Sequence, residues 1–405
     1  MTIPTHEEKT VGVIPADRPL KVAVLSFAHT HAIGYCRALS GRADVELVVS
    51  DPDGASAPDA ALRGSALAEQ LGVRYLPTYE DALAWGPDAV IVTAENVRHR
   101  ALVEAAAAAG AQILCEKPLA TTVEDAEAML AATERAGVAL MTAYPVRFAP
   151  SFADLLHRVR SGLLGTVLAV KGTNNGKLPA DRAWFTDSAL SGGGALVDHV
   201  VHCADLLDEL LGEQPATVRA VANRILHPGA PVETGGLVTA VYPSGVVATI
   251  DCSWSVPDAA PTWGGLTFQV TGTRGSVTIA PFAGHVGGQT ADGPVWVPTG
   301  DDLDAAMLEE FVSAVRAGRP AAPDGAVGLR TLQVVDAARR SAAAGGTVTP
   351  SGEGCALTNC SRRRARSAHL SARRADLNWC RDYPTVDPKP LIVPLALTVA
   401  VMETV

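Results

Sequence analysis

No stretch of this 405-residue chain approaches the roughly 20 apolar residues that a membrane-spanning helix needs. The longest candidate, Leu391 to Met402, is short and interrupted by Pro394. The opening, MTIPTHEEKTVGVIPADRP, is polar and proline-punctuated, with neither the cationic end nor the apolar core of a secretion signal. Basic charge is scarce as well. Charged residues make up 19% of the chain and sum to −10, which excludes the basic footprint of a nucleic-acid binder. Seven cysteines, at 36, 115, 203, 252, 355, 360 and 380, show no paired CxxC spacing and fit a reducing cytosol. A soluble cytoplasmic protein is expected, with no membrane or nucleic-acid partner.

What remains is a globular composition, 48% hydrophobic, on a chain long enough for two or three domains. Continuous apolar runs at 21–27, 45–50, 88–93, 111–116 and 138–144 alternate with helical stretches at 32–40, 59–71, 97–109 and 123–136. Such alternation predicts an α/β domain whose parallel sheet is covered on both faces. Ser26, Asp51, Thr93 and Glu116 then line one carboxyl edge, where open α/β sheets bind ligands. The first turn, SFAHTHAIG, lacks the GxGxxG fingerprint: its three positions read Ser26, Ala28 and His31. Small residues at the first two still permit a tight turn, and the next helix presents free amides to a phosphate; an ordinary strand-to-helix turn is the alternative. His29 and His31 read as contacts to phosphate or substrate, or as caps of that helix. Asp51 stands where an acid accepts the ribose hydroxyls of NAD and repels the 2′-phosphate of NADP, which favours NAD; otherwise it is a turn former before Pro52. Thr93 and Asn96 sit on a loop that reaches the same crevice. Glu116-Lys117-Pro118 reads as a rigid turn projecting Lys117 into it, or as a salt-bridged surface turn.

Beyond residue 147 the pattern changes. A helix at 152–161 and a strand at 166–174 lead to a loop with Arg182, Trp184 and Phe185. Alternating segments at 217–226, 234–242, 245–256 and 266–280 predict an open, mainly antiparallel sheet with one covered face. Its bare face, Trp254 included, suits an interface in a homodimer or homotetramer. Helices are expected at 301–316 and 324–344. Between the two halves lies GGGALVDHVVHCADLLDELL (192–211). Leu196, Val200, Cys203, Leu207 and Leu210 form a buried helical stripe, and Asp198 and His202 share one face, a turn apart. A carboxylate and an imidazole in an apolar helix cost free energy unless paired or used, so they form either a satisfied structural pair or a site. Side-chain-free glycines just before them let another molecule approach closely. His199 reads off the shared face, so no metal set is expected from 198, 199 and 202. The chain thus divides into a flexible leader (1–19), a dinucleotide-binding domain (20–146), a substrate-binding and oligomerisation α+β domain (147–350) and a poorly ordered tail (351–405). The tail carries eight Lys and Arg against five Asp and Glu and reads as solvated, without an activity.

EKP closing a strand, GGGxxxDxxxH ahead of an antiparallel sheet, and EEFVSAVRAGRP followed by GLRTLQVVDAARRSA resemble the glucose–fructose oxidoreductase, inositol dehydrogenase and MocA-like family. The resemblance covers about residues 20 to 350. It implies an N-terminal Rossmann domain, a second domain with an open sheet, and NAD(P)-dependent oxidation or reduction of sugars, cyclitols and related polyols. Position by position, Lys117 is the family's EKP lysine, and Asp198 and His202 correspond to its catalytic acid and histidine. Arg182 and Trp184 fall where it often places substrate contacts. Val200 replaces the glycine of the family's D-x-G-x-H. The chemistry agrees with the residues: oxidising an alcohol requires its hydroxyl proton to leave, and a histidine titrating near neutrality suits that transfer. Two other readings stay open: a non-catalytic nucleotide- or sugar-binding regulator on the same fold, and an NAD-dependent enzyme whose net reaction is elimination or glycoside cleavage.

Overall fold

A computed structural model describes residues 13–15, 17–56, 62–291 and 293–350. Its first sheet holds β1 (Leu20–Leu25), β2 (Val45–Ser50), β3 (Arg74–Tyr75), β4 (Ala89–Val92), β5 (Gln112–Cys115) and β6 (Leu140–Thr142). All are parallel, in the order β3-β2-β1-β4-β5-β6. β4 and β5 are buried at every residue, as unbroken apolar strands covered on both faces must be. Their helices start and stop on local signals. Thr122 accepts the Asp125 amide to open Val123–Ala136, and Gly137, in the left-handed region, ends it. The helix expected at 59–71 is described from Gly64. Two-residue β3, with no apolar run, escapes sequence reading.

The second sheet holds β7 (Val167–Gly176), β8 (Thr217–Asn223), β9 (Gly235–Val241), β10 (Val247–Asp251), β11 (Gly264–Gly272) and β12 (Gly275–Ile279), in the order β12-β11-β7-β10-β9-β8. It is antiparallel except where β7 and β10 run parallel. A further hairpin, β13 (His285–Thr290) and β14 (Gly293–Pro298), carries glycines and exposed positions that give no strand pattern. Helix Ala195–Leu211 lays Leu196, Val200, Cys203 and Leu207 against Val170, Val238, Ile250 and Phe268 on the covered face. The other face bears exposed Leu237, Val241 and Val247.

Trp254 is not on that bare face. β10 ends at Asp251, so the alternation lapses. The Trp254 amide then bonds the Thr234 carbonyl, and the indole is buried beside Ala195 and Val232. The leader is docked where it is described: the Ile14 amide donates to the Arg316 carbonyl, and Arg18 pairs with Asp88 at 2.7 Å. Helix Leu303–Ala317, assigned by sequence to the second domain, sends Met307, Leu308, Phe311 and Val312 into the same core as β1 and helix His31–Ser40. An amphipathic stripe alone does not say which sheet it will cover. The basic tail lies outside the described residues.

The glycines before helix Ala195–Leu211 make room for the chain itself. Gly192 has φ of +85° and stands where a Cβ would meet Thr121 at 3.1 Å, and a Cβ on Gly194 would collide with the Glu233 carbonyl. Glu233 answers by accepting the Gly194 and Leu196 amides through Oε1, which satisfies the start of the helix. Gly194→Ala should therefore destabilise the protein by about 1–3 kcal/mol through overpacking, read as a lower denaturant midpoint.

Candidate active site

Lys117 follows the end of β5, and its bond to Pro118 is cis. The side chain crosses to the first turn of helix Ala195–Leu211, where Nζ donates to Asp198 Oδ1 at 2.7 Å and to the Asp198 carbonyl at 3.2 Å. Asp198 Oδ2 accepts the Trp254 indole N–H at 3.1 Å and faces His199 Nε2 at 3.1 Å. His199 Nδ1 lies 3.2 Å from the Cys252 carbonyl, which pins the ring at both nitrogens. Helical spacing placed His199 off the shared face; the Asp198 carboxylate turns toward it instead. Burial alone would raise the Asp198 pKa, but the charges and hydrogen bonds of Lys117 and His199 hold it well below the usual carboxylate range.

His202, one turn on, also faces this region. Its Nδ1 is buried without a partner. Burial, then the nearby Lys117 charge, drive its pKa well below 6.5. The ring expected to titrate near neutrality is a neutral imidazole there. Lys117, Asp198, His199 and His202 line one cleft of about 590 Å³, together with His29, His31, Asn174, Trp263, Phe282 and Asp304.

The carboxyl edge of the first sheet assembles as its sequence indicated. Ser26 Oγ donates to Asp51 Oδ1 at 3.1 Å, and Thr93 Oγ1 donates to the Ser26 carbonyl at 2.7 Å. Ser26 has φ of +80°, the left-handed conformation that glycine ordinarily supplies. His29 Nδ1 accepts the amide of His31, the first residue of its helix, at 3.2 Å. Tyr35 donates to Glu116 Oε1 at 2.6 Å, where His31 Nδ1 also lies at 3.1 Å, and Glu116 Oε2 accepts the Lys117 amide. Among the described residues, His29, His31 and Glu116 are the one group of three side chains close enough to share a metal ion; Glu116 Oε1 is shared by His31 Nδ1 and Tyr35, and His29 Nδ1 bonds a backbone amide. Asn96 donates to the Ser191 carbonyl at 2.8 Å. Asp51 is wholly buried against Arg63, a partner no sequence signal marked.

Arg182 and Trp184 do not line the cleft; Phe185 does. The Trp184 indole N–H donates to the Ala28 carbonyl at 3.0 Å, and its ring stacks on Phe185. Arg182 is buried, with Nε and Nη1 unpartnered. Arg63 is the polar residue that sequence reading missed; His199 was read off the shared face and Trp254 on the bare sheet face, and both instead bond Asp198.

This is the architecture of a two-part dehydrogenase: a dinucleotide-type sheet with a lysine at its carboxyl edge, closed by a helix from an open second sheet. The description "Oxidoreductase family, NAD-binding Rossmann fold" matches residues 30–144, and "GFO/IDH/MocA C-terminal domain" matches residues 152–278. The chain belongs to the GFO/IDH/MocA oxidoreductase family. It is 34% identical over 301 residues to 1,5-anhydro-D-fructose reductase of Ensifer adhaerens, covering 70% of this chain and 88% of that one. It is 30% identical over 324 residues to inositol 2-dehydrogenase of Rhizobium meliloti, covering 76% and 93%. The structure of GenD2 from gentamicin A biosynthesis, in complex with NAD, superposes with a TM-score of 0.73 at 28% identity, over 84% of this chain and 99% of that one.

Acid should find the buried imidazoles first. Burial pushes the His29 pKa down to about 3, so the folded chain refuses a proton that the unfolded chain takes at about 6.5. Stability from this group is complete above pH 6.5 and drains by about 1.4 kcal/mol per unit as the pH falls toward 3. His29→Asn should flatten that part of the stability–pH curve, measured by urea unfolding from pH 7 to pH 4.5; parallel curves would contradict the assignment.

Proposed function

We propose that this chain transfers a hydride between a nicotinamide cofactor and a hydroxyl or keto carbon of a sugar, cyclitol or related polyol. The observation that carries the reading is the joint presence, in one cleft at the carboxyl edge of the first sheet, of the Lys117–Asp198 pair and a neutral His202. Bound NAD supplies or takes up the hydride. The residues present suit it. Ser26 adopts the turn conformation of the missing glycine and Ala28 keeps the loop small, while at the helix start the His31, Ala32 and Ile33 amides bond His29 Nδ1, the His29 carbonyl and the Thr30 carbonyl. Thr93, Asn96, Glu116 and Lys117 stand along the same edge.

Within the cleft each side chain has one task. An ammonium has three N–H donors; Lys117 uses two on Asp198, which leaves one for the substrate oxygen as negative charge develops there. Asp198, with both oxygens engaged by Lys117, His199 and Trp254, anchors that lysine and does not exchange protons. His202, neutral and lining the cleft, takes the hydroxyl proton in the oxidative direction. Trp263 and Phe282, about half exposed, offer apolar walls to a sugar's C–H faces. Trp184, bonded to the Ala28 carbonyl and stacked on Phe185, holds the loop behind the cleft, and the substrate contacts fall to Lys117 and His202.

A panel of sugars, inositols and keto-sugars with NAD or NADH should reveal turnover. Lys117→Ala should cost roughly 10²- to 10³-fold in kcat, the loss typical of an electrostatic donor, and His202→Ala roughly 10²- to 10⁴-fold, that of a general base. Absence of both turnover and nucleotide binding would sink the reading.

Two coarser features belong to the same account. No described helix is long and apolar enough to cross a membrane, and Cys36, Cys115, Cys203 and Cys252 are free thiols, which suits the cytoplasm. Exposed Leu237, Val241 and Val247 on the bare sheet face suit a homodimer or homotetramer. Leu237→Glu should then lower the mass seen by light scattering to that of the monomer, and an unchanged mass would contradict this interface.

A further inference from the structure

The crevice beside β1 holds a second buried charge cluster that the hydride chemistry does not use. Arg63 stands just before helix Gly64–Leu71, and its side chain is 3% exposed. Its guanidinium donates from Nη2 to Asp51 Oδ1 at 2.8 Å and to Ser26 Oγ at 3.2 Å. Nε donates to Asp51 Oδ2 at 3.2 Å and Nη1 to Glu95 Oε1 at 3.1 Å. Asp51 also accepts the Ser26 hydroxyl on Oδ1 and the Gly64 amide at 2.9 Å on Oδ2. A carboxylate has about four lone-pair sites, and here four donors fill them.

An acid at the end of the second strand tells NAD from NADP in two ways. It accepts hydrogen bonds from the ribose hydroxyls, and its charge repels a phosphate on the 2′ oxygen. Both need a carboxylate that is open and uncompensated. Asp51 is neither: its acceptor sites are taken, and a guanidinium lies flat against it in a fork that matches carboxylate geometry. Nearby, Arg98 extends the cationic side, with Nη1 at 2.9 Å from Asp53 and Nε at 3.3 Å from Glu95.

We infer that Arg63, by masking Asp51, sets cofactor specificity in this chain, so that NAD and NADP are accepted about equally. This rests on the reading of the first sheet as a nicotinamide dinucleotide site. The reading of Asp51 alone, NAD over NADP, and this inference differ in the ratio of the two affinities, which the titration below measures. Asp51 and Arg63 are positioning residues for the ribose end and take no part in hydride transfer.

The test is a titration of the full chain with NADH and with NADPH, each alone, following energy transfer from tryptophan to the bound nicotinamide. In the unaltered protein the two dissociation constants should lie within about threefold of each other. Arg63→Gln uncovers Asp51 and should weaken NADPH at least tenfold relative to NADH. Asp51→Asn leaves the guanidinium with Glu95 as its one remaining acidic partner and should shift the ratio at least tenfold the other way. Thermal melts check that each variant is folded, and because the two shifts have opposite sign, either variant alone tests the inference. A tenfold preference for NADH in the unaltered protein, or a ratio unmoved in a folded variant, overturns it while leaving the dehydrogenase reading intact. Binding of neither nucleotide overturns both.

Discussion

The site depends on one buried ion pair. Lys117 comes from the end of β5 in the first sheet and Asp198 from the helix that covers the second, and they meet at 2.7 Å with almost no solvent. Two charges brought out of water cost several kcal/mol each, a cost offset only by good geometry and by further hydrogen bonds to the remaining lone pairs. The Trp254 indole and His199 supply those bonds. The pair therefore joins three segments: the strand edge that defines the dinucleotide side, the helix of the second sheet, and the turn after β10. Losing one partner strands a buried charge, an effect of about 3–5 kcal/mol in comparable pairs, so the candidate site and the architecture share this contact.

The same charges sort the neighbouring titratable groups. With His202 buried near the Lys117 charge, protonating it would place two positive charges together, and the ring stays neutral. Glu116, buried yet surrounded by His29, His31 and Tyr35, is held well below the usual carboxylate range. The cleft thus presents one lysine donor and one neutral imidazole acceptor, the complementary pair that moving a proton to or from a carbinol oxygen requires.

Much of the fold was legible because its signals are local. Unbroken apolar runs gave the parallel strands, alternation gave the mainly antiparallel sheet, and the helix read at 123–136 is bounded in the structure by Thr122 and Gly137. Asp198 and His202 stood out from an apolar helix and Lys117 from a proline-closed turn at a strand end, and the fold brings the three to one cleft. What escaped is set by tertiary approach. Trp254 turns inward only because β10 stops at Asp251, the glycines at 192–194 yield to Thr121 and Glu233, and helix Leu303–Ala317 returns to the first sheet. Arg63 looks like any polar residue before a helix, and nothing in its neighbourhood along the chain announces Asp51. Ser26 shows the reverse case, a residue that fails the glycine pattern yet holds the glycine conformation.

The central claim is that this cleft moves a hydride under the control of Lys117. The most direct measurement incubates the protein with NADH deuterated at the transferring C4 position and a set of keto-sugars and inosose-type ketones, then locates the label by mass spectrometry and NMR. Deuterium on a new carbinol carbon, formed by the unaltered protein and nearly lost in Lys117→Met, is the predicted result. Deuterium that stays in the nucleotide with every ketone would contradict the account, as would transfer that proceeds undiminished without the lysine.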